Sequence, residues 1–243
     1  MIGFRIIDLE TIDSTNLELR RLFLAHKVGH GTVLMAKTQT QGRGRLNRQW
    51  QSAAGNLFAS LLIEPPDHLK DLSSLNAFAA GIIRKSLLEI IDDTQAITIK
   101  WPNDVLLYGR KVAGILAESL LNARSAKPAV IVGIGINIDH SPQQTLYPAT
   151  SINDHLNDKT TREVVLESLL RAWDRDYHRW CENTETTLQE VWLPYMEGKG
   201  QMRRVNRGNT AIEGRVVDFY ADGTAVLQPD HGDSIVIRVG DVS

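Results

Sequence analysis

Hydrophobic positions follow two periods along the chain. Short apolar or alternating runs, "FRIIDLE" from Phe4, "GTVLMAKTQT" from Gly31 and "NLFASLLIE" from Asn56, predict β-strands, the last bounded by Gly55 and by Pro65-Pro66. Between the first two, "DSTNLELRRLFLAH" sets Asp13, Ser14 and Thr15 as cap candidates before Leu17, Leu19, Leu22, Phe23 and Leu24, which predicts a helix start. From Leu69 to Ile91 the apolar residues Leu72, Leu75, Ala79, Ile82, Ile83 and Leu87 recur at helical spacing. "AITIKWPNDVLLYGRKVAGILAESL" predicts a strand, a Pro-Asn-Asp turn and a hairpin around Tyr108-Gly109-Arg110. "AVIVGIGINI" reads as a buried strand whose glycines admit a close neighbour.

Residues 161–180 and 184–194 are predicted helical, with Pro194 closing the second. Past Gly198 the pattern changes to short alternating segments separated by "RGNT", "ADGT" and "HGDS" turns, which predicts a small antiparallel β domain. Strands and helices before it do not alternate strictly. The expectation is therefore an α+β domain over 1–197, a mixed sheet with helices packed on it, followed by a β domain over 198–243.

Composition adds exclusions. With 243 residues, 42% hydrophobic and 23% charged, the chain has ordinary globular proportions. A net charge of −2 provides no global field toward nucleic acid or membrane. The single cysteine, Cys181, rules out an internal disulfide framework and fits a reducing compartment. Neither a signal peptide nor an apolar run of membrane-spanning length is present, so a cytoplasmic protein is expected.

Against that charge, "TQTQGRGRLNRQW" clusters Arg43, Arg45 and Arg48 around Gly44 without an acid among them. Glycines let backbone N–H groups approach an oxyanion, and arginines supply permanently charged paired donors, so carboxylates and phosphates are natural guests. A solvated turn or an RNA contact would also fit the loop alone, though Trp50 is the one aromatic beside it. Four other stretches carry suitable chemistry: "DSTN" at a helix start, "KWPND" with Lys100, Asn103 and Asp104, "GRKVAGIL" with Lys111 before Gly114, and "GIGIN" with Gly133 and Gly135 before Asn137. Singly, each is explained as a cap, a turn, a surface charge or a tightly packed strand.

Together and in this order, "STN", "Q-x-x-GRGR-x-x-R-x-W", "KWPND", "RK-x-AGIL" and "GIGIN", with a closing "GDVS", the stretches resemble the biotin protein ligases over nearly the whole chain. The resemblance implies a catalytic domain related to class II aminoacyl-tRNA synthetases and lipoate ligases, with a C-terminal SH3-like barrel. It implies that biotin and ATP give biotinyl-5′-AMP, with Mg2+ arriving on ATP, and that the biotinyl group passes to a lysine of a biotin carboxyl carrier protein. By carry-over, Arg45 and Lys111 are catalytic. Ser14, Thr15, Asn16, Gln39, Arg43, Gly44, Arg45, Lys111, Gly114, Ile115, Gly133 and Gly135 would bind biotin, Arg43 and Gly44 through their backbone and the last two glycines by leaving room beneath its ring. Arg48, Trp50, Lys100, Asn103 and Asn137 would bind ATP or the adenylate. No protein metal site is expected. The residues ahead of Ser14 are too few for the DNA-binding domain of many bacterial relatives, so no DNA partner is expected; a homodimer stays open. Leu46-Asn47 replaces a common Arg-Gly, and Asn47 is expected to keep the loop's path because asparagine tolerates left-handed backbone.

Overall fold

A computed structural model describes residues 1–243 apart from 67–71, 73, 121–127, 144–146, 208–209, 239–240 and 243. The strands of the main sheet are β1 (Arg5–Ile12), β2 (Thr32–Gln39), β3 (Leu57–Ile63), β4 (Ile97–Lys100), β5 (Asp104–Leu107), β6 (Arg110–Leu120), β7 (Ala129–Ile136) and β8 (Met196–Glu197), in the spatial order β1-β2-β3-β7-β6-β5-β4-β8. The end pairs β1–β2 and β4–β8 are parallel and the pairs between them antiparallel, so the expected mixed sheet is present. Tyr108 and Gly109, both at positive φ, make the β5–β6 turn where the sequence placed it.

The helices are α1 (Thr15–Leu24), α2 (Leu75–Leu87), α3 (Arg162–Glu182) and α4 (Thr184–Val191). The proposed helix from Leu69 is shorter than its apolar period: Leu69 lies outside the described residues, and the helix begins at Leu75. Likewise α4 ends at Val191, and Pro194 sits inside a following 3-10 turn, Leu193–Tyr195, where a proline near the start lacks no needed donor. Thr161 caps α3 by accepting from the Val164 N–H. Ser14 precedes α1 without a side-chain cap bond, which leaves its neighbours for other work.

The continuous apolar strands are buried on both faces. Val33, Met35, Leu61, Ile63, Val130 and Val132 face the large core with Phe78, Ile82, Trp173 and Trp180 of α2 and α3. Leu34, Leu62, Leu120 and Ile131 point the other way and meet Leu19 and Phe23 of α1. By the two-residue period, Phe58, Ser60, Gly114, Leu116, Gly133 and Gly135 share this second face, beyond the apolar cluster that α1 covers. That part of the sheet is the floor of a cavity.

The C-terminal strands β9 (Met202–Arg207), β10 (Thr210–Phe219), β11 (Ala225–Gln228), β12 (Ile235–Ile237) and β13 (Asp241–Val242) form one antiparallel sheet, ordered β12-β11-β10-β9-β13. It is tied to the main sheet by the Trp101 indole, which donates to the Gly223 carbonyl at 3.0 Å, and by an edge-on Trp192–Phe219 contact.

Candidate active site

The arginine loop closes as a small hairpin. Arg43 bridges Gln49, the Gly44 N–H donates to the Arg48 carbonyl at 2.7 Å, and the Trp50 N–H donates to the Gly42 carbonyl at 2.9 Å. The left-handed position is Leu46, at φ 52 and ψ 43, so the strain expected to rest on Asn47 rests on an exposed leucine instead. The reversal between Arg45 and Arg48 needs one residue there, and its place in the turn decides which.

Beneath this loop lies a cavity of about 260 Å3. Every residue singled out from the sequence lines it: Ser14, Thr15, Asn16, Gln39, Arg43, Gly44, Arg45, Arg48, Trp50, Lys100, Asn103, Lys111, Gly114, Ile115, Gly133, Gly135 and Asn137. Five stretches far apart in the chain thus meet because the α1 start, the loop after β2, the β4–β5 turn, β6 and β7 surround one patch of sheet. Phe58, Trp101, Asp104 and Tyr147 also line it and were not among the predicted site residues. Asp104 stood inside a quoted motif. Phe58 and Tyr147 had no local signal, since an aromatic in a strand or loop looks the same in a core.

The cations are held in pairs. Arg45 Nη1 donates to Asn103 Oδ1 at 3.1 Å, and the Lys111 ammonium sits 2.5 Å from an Asp104 oxygen. Asn103 is itself clamped to β6, its Nδ2 donating to the Ile115 carbonyl at 2.7 Å. Burial pushes the Arg45 guanidinium below its usual value, with Asp104 opposing and Arg48 adding to the shift; it remains a cation. Lys100 is pushed down to about 8, chiefly by burial, and its Nζ lies 3.1 Å from the centre of the Tyr147 ring.

At the other end a polar chain crosses the floor. The Thr15 N–H donates to Gln39 Oε1 at 2.9 Å, Gln39 Nε2 to Ser52 Oγ at 3.0 Å, and Ser60 Oγ lies 2.6 Å from Asn16 Oδ1. Asn16 Nδ2 donates to Glu118 Oε2 at 2.8 Å. Of "DSTN", Ser14, Thr15 and Asn16 line the cavity and Ser14 makes no cap bond, whereas Asp13 pairs with Arg21 of α1.

Two expectations change in detail. The space over the glycines is occupied from within the protein: a β-carbon on Gly135 would come within 2.5 Å of the Trp50 ring, one on Gly114 within 2.8 Å, and one on Gly133 would overlap Asn16. The glycines thus admit the indole and the amide, where the sequence reading left that room to a ligand ring. Trp50 Nε1 is buried with no partner among the described residues. Asn137 is buried as well, and its Nδ2 donates to the Thr150 carbonyl at 3.2 Å, which pins the segment that follows Tyr147 beside the end of β7.

Fold and site define a class: a mixed-sheet domain with one glycine-floored cavity whose wall carries fixed cations at one end and neutral hydrogen-bonding groups at the other. Residues 9–137 match the model of the biotin/lipoate A/B protein ligase family, and the chain belongs to that family. It is 30% identical over 237 residues to the bifunctional ligase/repressor BirA of Bacillus spizizenii, covering 96% of this chain and 72% of that protein. It is 31% identical to the biotin–[acetyl-CoA-carboxylase] ligase of Mycobacterium tuberculosis, over 99% of this chain and 89% of that one. A biotin protein ligase from Aquifex aeolicus, solved in complex with biotin and ATP, superposes with a TM-score of 0.82 at 29% identity, covering 98% of this chain and 97% of that chain.

Proposed function

We propose that this chain joins biotin to ATP as biotinyl-5′-AMP and passes the biotinyl group to a lysine of a carboxylase carrier protein. The observation that carries the reading is that Arg45 and Lys111, from separate stretches, are held at the neighbouring residues Asn103 and Asp104 in one cavity.

The first step brings two anions together. A biotin carboxylate oxygen bonds to the α-phosphorus of ATP, the bond from that phosphorus to the bridging oxygen breaks, and pyrophosphate leaves. Like charges resist this approach and negative charge grows on the transferring group, so fixed cations lower the barrier. In this reading Arg45 and Lys111 hold the carboxylate and α-phosphate, and Arg48 and Lys100 meet the remaining phosphates. The neutral polar groups of Ser14, Thr15, Asn16 and Gln39 suit a ureido ring, which needs both donors and acceptors in an otherwise apolar slot. Mg2+ would arrive on the triphosphate with phosphate and water oxygens as ligands; among the described residues no group of three His, Cys, Asp or Glu assembles. In the second step the acceptor amine attacks the acyl carbon and AMP leaves. We assign the amine's proton to Asp104, a carboxylate in the cavity wall.

The C-terminal sheet is read as an SH3-like barrel beginning at Gly198, a reading supported by its antiparallel order and the positive φ of Gly198 and Gly200 at the junction. A cysteine-dependent acyltransferase is disfavoured: Cys181 is buried in α3, outside the cavity, and burial pushes its thiol up.

Biotin-dependent exchange of labelled pyrophosphate into ATP, with lipoate as control, tests the reading. Exchange with biotin alone is expected, and Arg45→Ala or Lys111→Ala is expected to lower it by about 10²–10³. Exchange with lipoate alone would move the chain to the other branch of its family. Silence with both acids would end the proposal.

A further inference from the structure

Resting on the adenylating function above, we propose that Glu118 is a latch for the arginine loop, holding it through Arg43 so that the adenylate stays in the cavity until an acceptor docks. Glu118 has no part in the chemistry proposed so far and does not line the cavity. It projects from β6 on the cavity face, two and four residues beyond Leu116 and Gly114, and Arg43 Nη1 reaches its two oxygens at 3.1 and 3.3 Å. Among the described residues, the loop's own backbone bonds form a short hairpin. Its described side-chain ties to the sheet include Arg45 to Asn103 at the cation end and Arg43 to Glu118 at the opposite end. The adenylate would use the first of these, because Arg45 is assigned to substrate. The second uses only the Arg43 side chain, whereas the ligand is assigned the Arg43 backbone, so this pair can keep the loop shut while the ligand is present.

Glu118 also accepts from Asn16, which in turn meets Ser60, so the latch stands on a fixed post and not on a free surface carboxylate. Both side chains of the pair remain partly open, 38% for Arg43 and 26% for Glu118. An ion pair of that kind is weak and sensitive to salt. A weak latch suits the task, since the acceptor lysine must still gain entry.

The experiment uses the full chain. Enzyme loaded with labelled biotin and ATP is freed of small molecules by rapid gel filtration, and loss of protein-bound label is followed at low and high salt. Pyrophosphate exchange is measured alongside. For Glu118→Gln, which keeps an acceptor for Asn16 but loses the charge, exchange is expected within about two-fold of wild type. Release at low salt is expected to be roughly two- to five-fold faster. Salt is expected to speed release from the wild type and to have little effect on the variant. The exchanged pair, Arg43→Glu with Glu118→Arg, is expected to restore slow, salt-sensitive release relative to Arg43→Glu alone, which a merely structural role would not do. Equal release rates and equal salt response in wild type and Glu118→Gln, with exchange intact, would overturn the latch alone. Absence of exchange in the wild type would overturn the adenylating function and the latch with it.

Discussion

Leu46 is a residue whose backbone and side chain disagree. A non-glycine residue in the left-handed region carries roughly 1 kcal/mol of strain, and this side chain is 65% exposed, so burial returns little of it. Leu46→Asn is expected to raise the urea midpoint of unfolding slightly, and Leu46→Val to lower it, because a β-branched side chain fits positive φ worst. Lys100 offers a pH test at the same scale. In the free protein its ammonium is present below about 8 and is lost as pH rises through that value. If it meets the phosphates, kcat/KM for ATP falls above about pH 8, since that ratio reports free-enzyme ionisations. Lys100→Arg is expected to move this limb to higher pH, and a limb that stays in place would assign it to another group.

Between elements, the packing of α2 on α3 is reinforced just past the end of α2. Glu89 accepts from Ser168 Oγ at 2.6 Å, from Arg171 at 2.9 Å and from Arg175 at 2.8 Å, all three on α3. These bonds, that of Ser168 foremost, hold its carboxyl down at about 2 against an ordinary 4.5. On acidification the unfolded chain takes up this proton first. The contribution is therefore complete above about pH 4.5 and is lost as pH falls toward 2. Glu89→Gln is expected to lower stability at neutral pH and to flatten the decline over that window, as read from denaturant midpoints against pH. An unchanged slope would show that other carboxylates govern it.

Across the whole molecule, Trp101 joins the two sheets at the cavity. It lies between Lys100 and Asn103 in the chain, lines the cavity and donates to Gly223 of the C-terminal sheet. Trp101→Phe removes that bond and part of the buried ring, which is expected to cost about 1–3 kcal/mol. Because the contact couples the two sheets, the loss is expected in a single transition seen by both near-UV and far-UV signals. A C-terminal sheet that melts separately would show that the two halves are energetically independent.

Local pattern by itself determined β1 to β7 with the β5–β6 hairpin, α3 and the C-terminal run of antiparallel strands, but not the two-residue β8, because period and turn chemistry are properties of neighbours in the chain. The residues of the cavity wall were legible for a different reason: singly "GRGR", "KWPND", "RKVAGIL" and "GIGIN" each have a bland reading, but together and in order they carry the resemblance to the biotin protein ligases, and the resemblance assigns those residues. What only the tertiary structure decided depends on residues distant in sequence. Trp50 and Asn16, not a ligand ring, fill the space the glycines leave, and Leu46 takes the strained backbone position. Asn103 serves as a clamp between Arg45 and β6, and Glu118 is the partner of Arg43. Each is a contact across strands or between a loop and the sheet. Such contacts follow from register and from the closing of the loop, and neither is written in any short stretch of sequence.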